Sequence, residues 1–242
     1  MDLKGRSALV TGAGQRLGRA IAYGLARRGV HVAIHYNSSE QGAKLTAMDA
    51  EVFGVKAVLL RADLASAEEA EALAPRAREA LGALDIVVHG AAVMERRRFA
   101  EVTPSDYDRV MDLNLRGAFF VAKGAAAAMG EQGGVIVNLA DVAAFERWRD
   151  YPVHCLSKAG VVTLTEMLAK HLAPRIRVNA VAPGAVLLPT DVDQAAAKRL
   201  AASTPLGRLG KPDDVFNAVV FLVENDYLTG ETVVVDGGRR IR

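Results

Sequence analysis

The stretch Thr11-Gly12-Ala13-Gly14-Gln15-Arg16-Leu17-Gly18 is where residue types and spacing first suggest chemistry. There the apolar run Ala8–Thr11 meets a helical pattern that starts at Leu17. Glycine in such a turn lets the backbone come close to a ligand. The helix that follows offers unpaired N–H groups at the positive end of its dipole, and together these features hold a pyrophosphate. Gly12, Gly14, Gln15, Arg16, Leu17 and Gly18 are therefore candidate cofactor contacts. Any tight strand-to-helix turn uses glycine, so the pattern gains weight only from standing at the first β-α junction of a repeating series. The next apolar run closes in His35-Tyr36-Asn37-Ser38-Ser39, which carries donors and no carboxylate. NAD binding usually wants an acid there for the ribose 2′-OH. The missing acid and the fixed charge of Arg16 suit a 2′-phosphate instead, and NADP(H) is the expected cofactor. A blander role fits the same residues, with Arg16 solvated and the serines capping the helix that begins at Glu40.

Other candidates carry less. Arg96-Arg97-Arg98 is a solvated charge run or a greeting for an anionic substrate. Arg147, Trp148 and Arg149 either line a substrate entrance or pack a loop. Cys155 beside His154 invites thiol catalysis, but adjacent helical residues point about 100° apart. His31 and His171 lack a second ligand at a convincing spacing, so no metal site is expected.

The elements that must position these residues repeat along the chain. Strands are predicted near Ala8–Thr11, Val32–His35, Ala57–Arg61, Ile86–His89, Val135–Leu139, Arg177–Val181 and Thr232–Asp236. Helices are predicted near Leu17–Arg28, Glu40–Phe53, Ala67–Leu81, Ser105–Gly130, Val153–Leu172 and Asp213–Val223. Thr103 reads as the cap of the fourth helix, with Pro104 at its first position and Asp106 in its first turn. The strands are continuous apolar runs, as a parallel sheet buried on both faces requires. Strict alternation implies right-handed crossovers, and hence one α/β domain over residues 1–242, a Rossmann-type doubly wound sheet of about seven parallel strands.

Composition sets the outer bounds. Apolar residues make up 51% of 242, ample for a core, and 30 basic against 28 acidic residues argue against nucleic acid as a partner. The longest apolar run outside glycine, Ala218–Val223, falls far short of the ~20 residues that span a bilayer. Met1-Asp2-Leu3-Lys4-Gly5 lacks a signal-peptide stretch, and a single cysteine excludes an internal disulfide framework. A cytoplasmic protein acting on a small molecule is expected.

With these residues in order, the whole chain resembles a short-chain dehydrogenase/reductase. Thr11–Gly18 is similar to that family's first glycine motif, and Arg16 with His35-Tyr36 is similar to its pteridine-reductase-like branch. Asp63 in Arg61-Ala62-Asp63-Leu64 matches the acid near the adenine, and Asn114 in Asp112-Leu113-Asn114-Leu115 matches the helix asparagine of the catalytic tetrad. Val178-Asn179-Ala180-Val181-Ala182-Pro183-Gly184 matches the segment beside the nicotinamide, implying cofactor contacts at Pro183, Gly184 and Val186. Pro205-Leu206-Gly207-Arg208 and Asp236-Gly237-Gly238 match the C-terminal signatures. The resemblance also implies a homotetramer, with a dimer second, built on the helices Ser105–Gly130 and Val153–Leu172 and on the C-terminal strand. Ala118, Ala122 and Ala125–Ala128 are small enough for close helix approach.

The departures from the family pattern bear on the chemistry. Where the family has Asn-Asn-Ala-Gly, this chain has His89-Gly90-Ala91-Ala92. Gly90 and Ala91 still let a cofactor pass, without an asparagine's hydrogen bonds. The family's Tyr-x-x-x-Lys aligns with His154-Cys155-Leu156-Ser157-Lys158, so the lysine is kept and the tyrosine is histidine. Tyr151 is out of register, with Cys155 four residues on. The usual serine aligns with Asp141, as in pteridine-reductase-like members, and the pterin-stacking aromatic aligns with Met94. The segment after Pro189 resembles the variable substrate loop and has no diagnostic residue.

In the resembled mechanism the tyrosine protonates the forming alkoxide, the lysine lowers its pKa and holds the ribose, and the asparagine supports a water relay. Imidazole donates a proton near neutral pH, with a reference pKa of ~6.5 against ~10 for tyrosine, but its donor atom reaches roughly 2 Å less far. Two functions follow. One is an NADPH-dependent reductase of a carbonyl or C=N substrate using Asn114, Asp141, His154 and Lys158. The other is a catalytically weak NADP(H)-binding protein that has lost its proton donor.

Overall fold

The computed structural model describes residues 1–188 and 193–241. Seven strands form one parallel sheet: β1 (Ser7–Val10), β2 (His31–Tyr36), β3 (Ala57–Arg61), β4 (Ile86–His89), β5 (Gly134–Leu139), β6 (Ile176–Pro183) and β7 (Thr232–Val235). Their order is β3-β2-β1-β4-β5-β6-β7, as expected for a doubly wound fold. β1 and β4 are buried along their whole length, which is why they read as unbroken apolar runs.

On one face lie α1 (Arg16–Arg27), α2 (Glu40–Glu51) and α9 (Pro212–Glu224), whose apolar side chains join Val10, Val32, Ile34 and Val137 in one core layer. On the other lie α3 (Ala67–Leu81), α5 (Gly117–Met129) and α7 (Pro152–Leu172), packed with Leu9, Val87, Ile136 and Val178. The chain order reverses between β1 and β4, which opens a crevice at the carboxyl ends of those strands. Among the described residues no helix is long and apolar enough to cross a membrane.

Three differences from the sequence reading matter. The helix expected over Ser105–Gly130 is α4 (Pro104–Met111), a π-helical turn (Asp112–Arg116) and then α5. Its start is as read, with Thr103 and Asp106 forming a reciprocal cap and Pro104 in the first turn. Two short helices, α6 (Ala143–Glu146) and α8 (Gln194–Ala202), had no clear apolar period to announce them. The alanines assigned to a subunit interface are mostly spent inside the chain. Ala118, Ala122, Ala125 and Ala128 are buried in the α3-side core, and a Cβ on Gly124 would lie 2.0 Å from the Glu71 carbonyl of α3. Small residues there let α5 approach α3 and say nothing about a partner.

Candidate functional site

The crevice is a cleft of about 560 Å³, a size that suits one small ligand. The glycine turn forms one wall. Gly12 has φ +66°, and a Cβ there would meet the Ala91 backbone at 3.1 Å. A Cβ on Gly18 would lie 2.2 Å from the Gly12 carbonyl, so α1 starts flush against the turn. Gln15 caps α1 without a side-chain bond and no acid stands in its first turn, leaving the helix N-terminus open to an anion. Gly12, Gln15, Arg16, Leu17, Gly18, Gly90, Ala91, Pro183, Gly184 and Val186 all line the cleft.

A second hollow of about 190 Å³ adjoins it, lined by Gly14, His35, Tyr36, Asn37, Ser38, Ser39 and Leu64 among others. It contains no carboxylate. Ser39 makes no side-chain cap to α2, so the capping role that competed with phosphate binding is not observed for it.

Three of the expected cofactor residues are engaged by the protein itself. Arg16 turns away from the hollow: it has φ +52°, and its guanidinium donates to the Leu187 carbonyl and, at 3.5 Å, to that of Leu188. His35 is buried and both its nitrogens are committed. Nδ1 accepts from Gly12 N–H at 3.1 Å and Nε2 pairs with the Ala62 carbonyl at 3.1 Å. Burial is the main cause that lowers its pKa to about 4, so it is a neutral strut that shapes the turn. Asp63 is exposed and accepts from Ala65 N–H at 3.0 Å, and only its neighbour Leu64 lines the hollow.

His89 fills part of the gap left by the missing asparagines. Thr11 Oγ accepts from the N–H groups of Gly90 (2.9 Å) and Ala91 (3.0 Å), so its own proton points to His89 Nδ1 at 3.2 Å. That network pins the end of β4 to the end of β1. Burial, then the nearby Lys158 cation, lowers the His89 pKa to about 3.

The opposite wall carries the polar groups. Asn114 sits in the π-helical turn, which rotates it inward. Its Oδ1 accepts from Val93 N–H at 2.8 Å, and its Nδ2 donates to the Val93 carbonyl at 2.9 Å and Ser157 Oγ at 3.0 Å. His154 Nδ1 lies 3.3 Å from the same carbonyl. A carbonyl only accepts, so Nδ1 carries a proton and Nε2 is left toward the cleft. Nε2 is buried, has no hydrogen-bond partner among the described residues, and stands 3.6 Å from Asp141 Oδ2. The other Asp141 oxygen accepts from Ala143 N–H at 2.8 Å, which fixes the carboxylate. One turn along α7, Lys158 Nζ donates to the Leu139 carbonyl at 2.7 Å. Burial lowers its pKa to about 8, partly offset by Asp141.

The fold thus brings Asp141, His154 and Lys158 to one wall and holds Asn114 just behind them through Val93. This group can pass a proton to or from a ligand atom in the cleft. Trp148 and Tyr151 also line it, with Trp148 stacked on the His154 ring at 6.4 Å between centroids. Arg147 and Arg149 do not line it. Arg239 does, and the sequence reading missed it. Its only signal was its place directly after Asp236-Gly237-Gly238. The loop after Pro189 falls in part on residues 189–192, outside the described residues.

Comparison with known proteins agrees with this architecture. The family model described as enoyl-(acyl carrier protein) reductase matches residues 12–240. The chain is 37% identical to an uncharacterised oxidoreductase of Methylorubrum extorquens, over 98% of this chain and 99% of that one. A short-chain dehydrogenase/reductase from Serratia marcescens superposes with a TM-score of 0.92 at 31% identity, covering 99% of this chain and 100% of the other. The chain belongs to the short-chain dehydrogenase/reductase family of oxidoreductases. It is also similar to FolM alternative dihydrofolate reductase 1 from Brucella canis, solved with NADP, with a TM-score of 0.94, 29% identity and coverage of 100% and 96%.

Proposed function

We propose that the protein reduces a small carbonyl or C=N compound with NADPH, and that His154 takes the place of the tyrosine as proton donor. The observation that carries this reading is His154 Nε2, buried and unpartnered between Asp141 and the cleft while Nδ1 is held by Val93. A buried polar atom without a partner is costly, and a ligand acceptor at that place would satisfy it. NADPH supplies the hydride when bound. Asp141 stands beside Nε2 and orients the ring, Lys158 sets positive charge one turn along α7, and Asn114 with Ser157 fixes the Val93 carbonyl that holds Nδ1. The FolM likeness supports placing the chain near the pteridine-reductase-like branch. Met94 cannot stack a pterin ring, but Trp148 brings an aromatic face to the same cleft. NADPH oxidation with a panel of ketones, quinones and pterins tests the reading, and a native protein inert to all of them overturns it. The shorter reach of imidazole favours a second reading, an NADP(H)-binding protein without turnover.

The carboxylate-free hollow beside Ser38 and Ser39 supports NADPH over NADH by at least about tenfold. Arg16 contributes by exchanging the Leu187 and Leu188 carbonyls for the 2′-phosphate, and Arg16→Ala is expected to narrow the preference. Fluorescence titration of both reduced cofactors checks this, and equal affinities contradict it.

A homotetramer remains the proposed assembly. Its support is now Tyr107 on α4, Phe119 on α5, and Leu156 and Met167 on α7, all large apolar side chains left exposed. Light scattering at micromolar concentration is expected to give four times the chain mass, and a monomer rules the assembly out.

A further inference from the structure

We propose that Arg239 binds a carboxylate on the substrate, so that the site takes a carbonyl compound carrying an acid group. This rests on the reductase reading and adds the class of its substrate.

Arg239 follows β7 and Gly237-Gly238 and lines the cleft together with Asp141, Trp148, Tyr151 and His154. Its side chain is only 15% exposed, yet it has almost no partners. Nε is buried without a hydrogen-bonded acceptor, and its nearest charge is Glu146 Oε1 at 3.4 Å. Its guanidinium carbon stands 5.8 Å from the Trp148 ring centroid, and no acceptor meets Nη1 or Nη2 among the described residues. The half-buried arginine of β6 makes the contrast. Arg177 donates to the carbonyls of Leu222, Leu228 and Val223 at 2.8–2.9 Å, as an arginine used to hold a fold does. Arg16 is likewise taken up by two carbonyls, and Arg96 by Asp150 at 2.7 Å.

Glu146 explains how the charge is held there. One of its oxygens accepts the Trp148 indole N–H and the other faces Arg239 Nε, so the carboxylate locks the indole and guanidinium together. The pair nearly cancels in charge, which lowers the cost of burying it. The Nη edge then remains as a planar fork of donors, the shape that takes a carboxylate through two parallel hydrogen bonds. A phosphate dianion fits less well, because Glu146 and Asp141 already place two negative charges on this wall. Arg239 and His154 both approach the Trp148 ring, at 5.8 Å and 6.4 Å from its centroid, and both line the cleft, so one small molecule can reach both.

Trp148 is the only tryptophan in the chain, and its emission reports on this wall directly. Benzoate and benzamide, titrated against the NADP⁺-saturated protein, differ in that charge alone. Benzoate is expected to bind about ten- to hundredfold tighter, with the ratio falling to about twofold in Arg239→Met and partly retained in Arg239→Lys. This readout needs no turnover, so it stands or falls apart from the reductase reading. For catalysis the matched pair is 4-formylbenzoate and its methyl ester, with kcat/KM favouring the acid by a similar factor in the native protein only. Equal affinity for benzoate and benzamide in the native protein overturns the proposal. So does a benzoate preference that survives in Arg239→Met.

Discussion

Replacing His154 by phenylalanine is expected to cut turnover by about 10²- to 10⁴-fold while NADPH still binds, the loss typical of removing a positioned acid. Phenylalanine keeps a ring against Trp148 but removes both nitrogens, so the Val93 contact and the atom facing Asp141 vanish together. Tyr151→Phe is the control, because Tyr151 is the phenol that lines the cleft. His154→Tyr is the sharper comparison. If the native protein turns over and His154→Tyr is slower, the site is built around imidazole. An inert native protein that becomes active as His154→Tyr instead marks the histidine as a lesion and favours the NADP(H)-binding reading. A misplacement of ~1 Å already costs ~10²-fold, so the two outcomes should be well separated.

Acidification from pH 7 to pH 5 is expected to remove about 4 kcal/mol of stability through two buried histidines outside the proton-transfer wall. His35, with its pKa lowered to about 4, and His89, lowered to about 3, are neutral in the fold. In the unfolded chain both titrate near 6.5. Below that value the unfolded state binds more protons, so stability is fully present above about pH 6.5 and is lost as pH falls toward the folded values. Each histidine contributes about 2 kcal/mol of the loss at pH 5, at 1.36 kcal/mol per pKa unit. Urea denaturation at pH 7, 6 and 5 measures it, and His89→Asn should flatten the curve by about half. A stability unchanged between pH 7 and pH 5 would show that these imidazoles are not held neutral.

The residues that hold the two strands around the crevice illustrate what could be read in advance. The β-α alternation, the continuous apolar strands and the glycine turn are local patterns, because each depends on residues within one element and its neighbour. They therefore specify the sheet, the crevice and the open N-terminus of α1 without any long-range information. The Thr103 cap was legible for the same reason, since all its partners lie within three residues. Asn114, His154 and Lys158 were legible only through resemblance, because nothing in their spacing joins them.

Where side chains end depends on distant backbone, which no local pattern contains. Arg16 has a phosphate ligand's place in the turn, and only the fold shows that carbonyls some 170 residues away hold its guanidinium. His35 looked like a donor at a strand end, and only the packing of Gly12 and Ala62 around it makes it a buried neutral strut. The alanines of α5 suited a subunit interface by composition, while α3 already occupies that face. Sequence by itself determined the fold and the place of the crevice, since periodicity and turn chemistry are short-range. Tertiary structure decided which arginine is left unsatisfied in the cleft. A hydrogen bond is claimed by whichever acceptor the packing brings within about 3 Å, and that distance has no counterpart in sequence order.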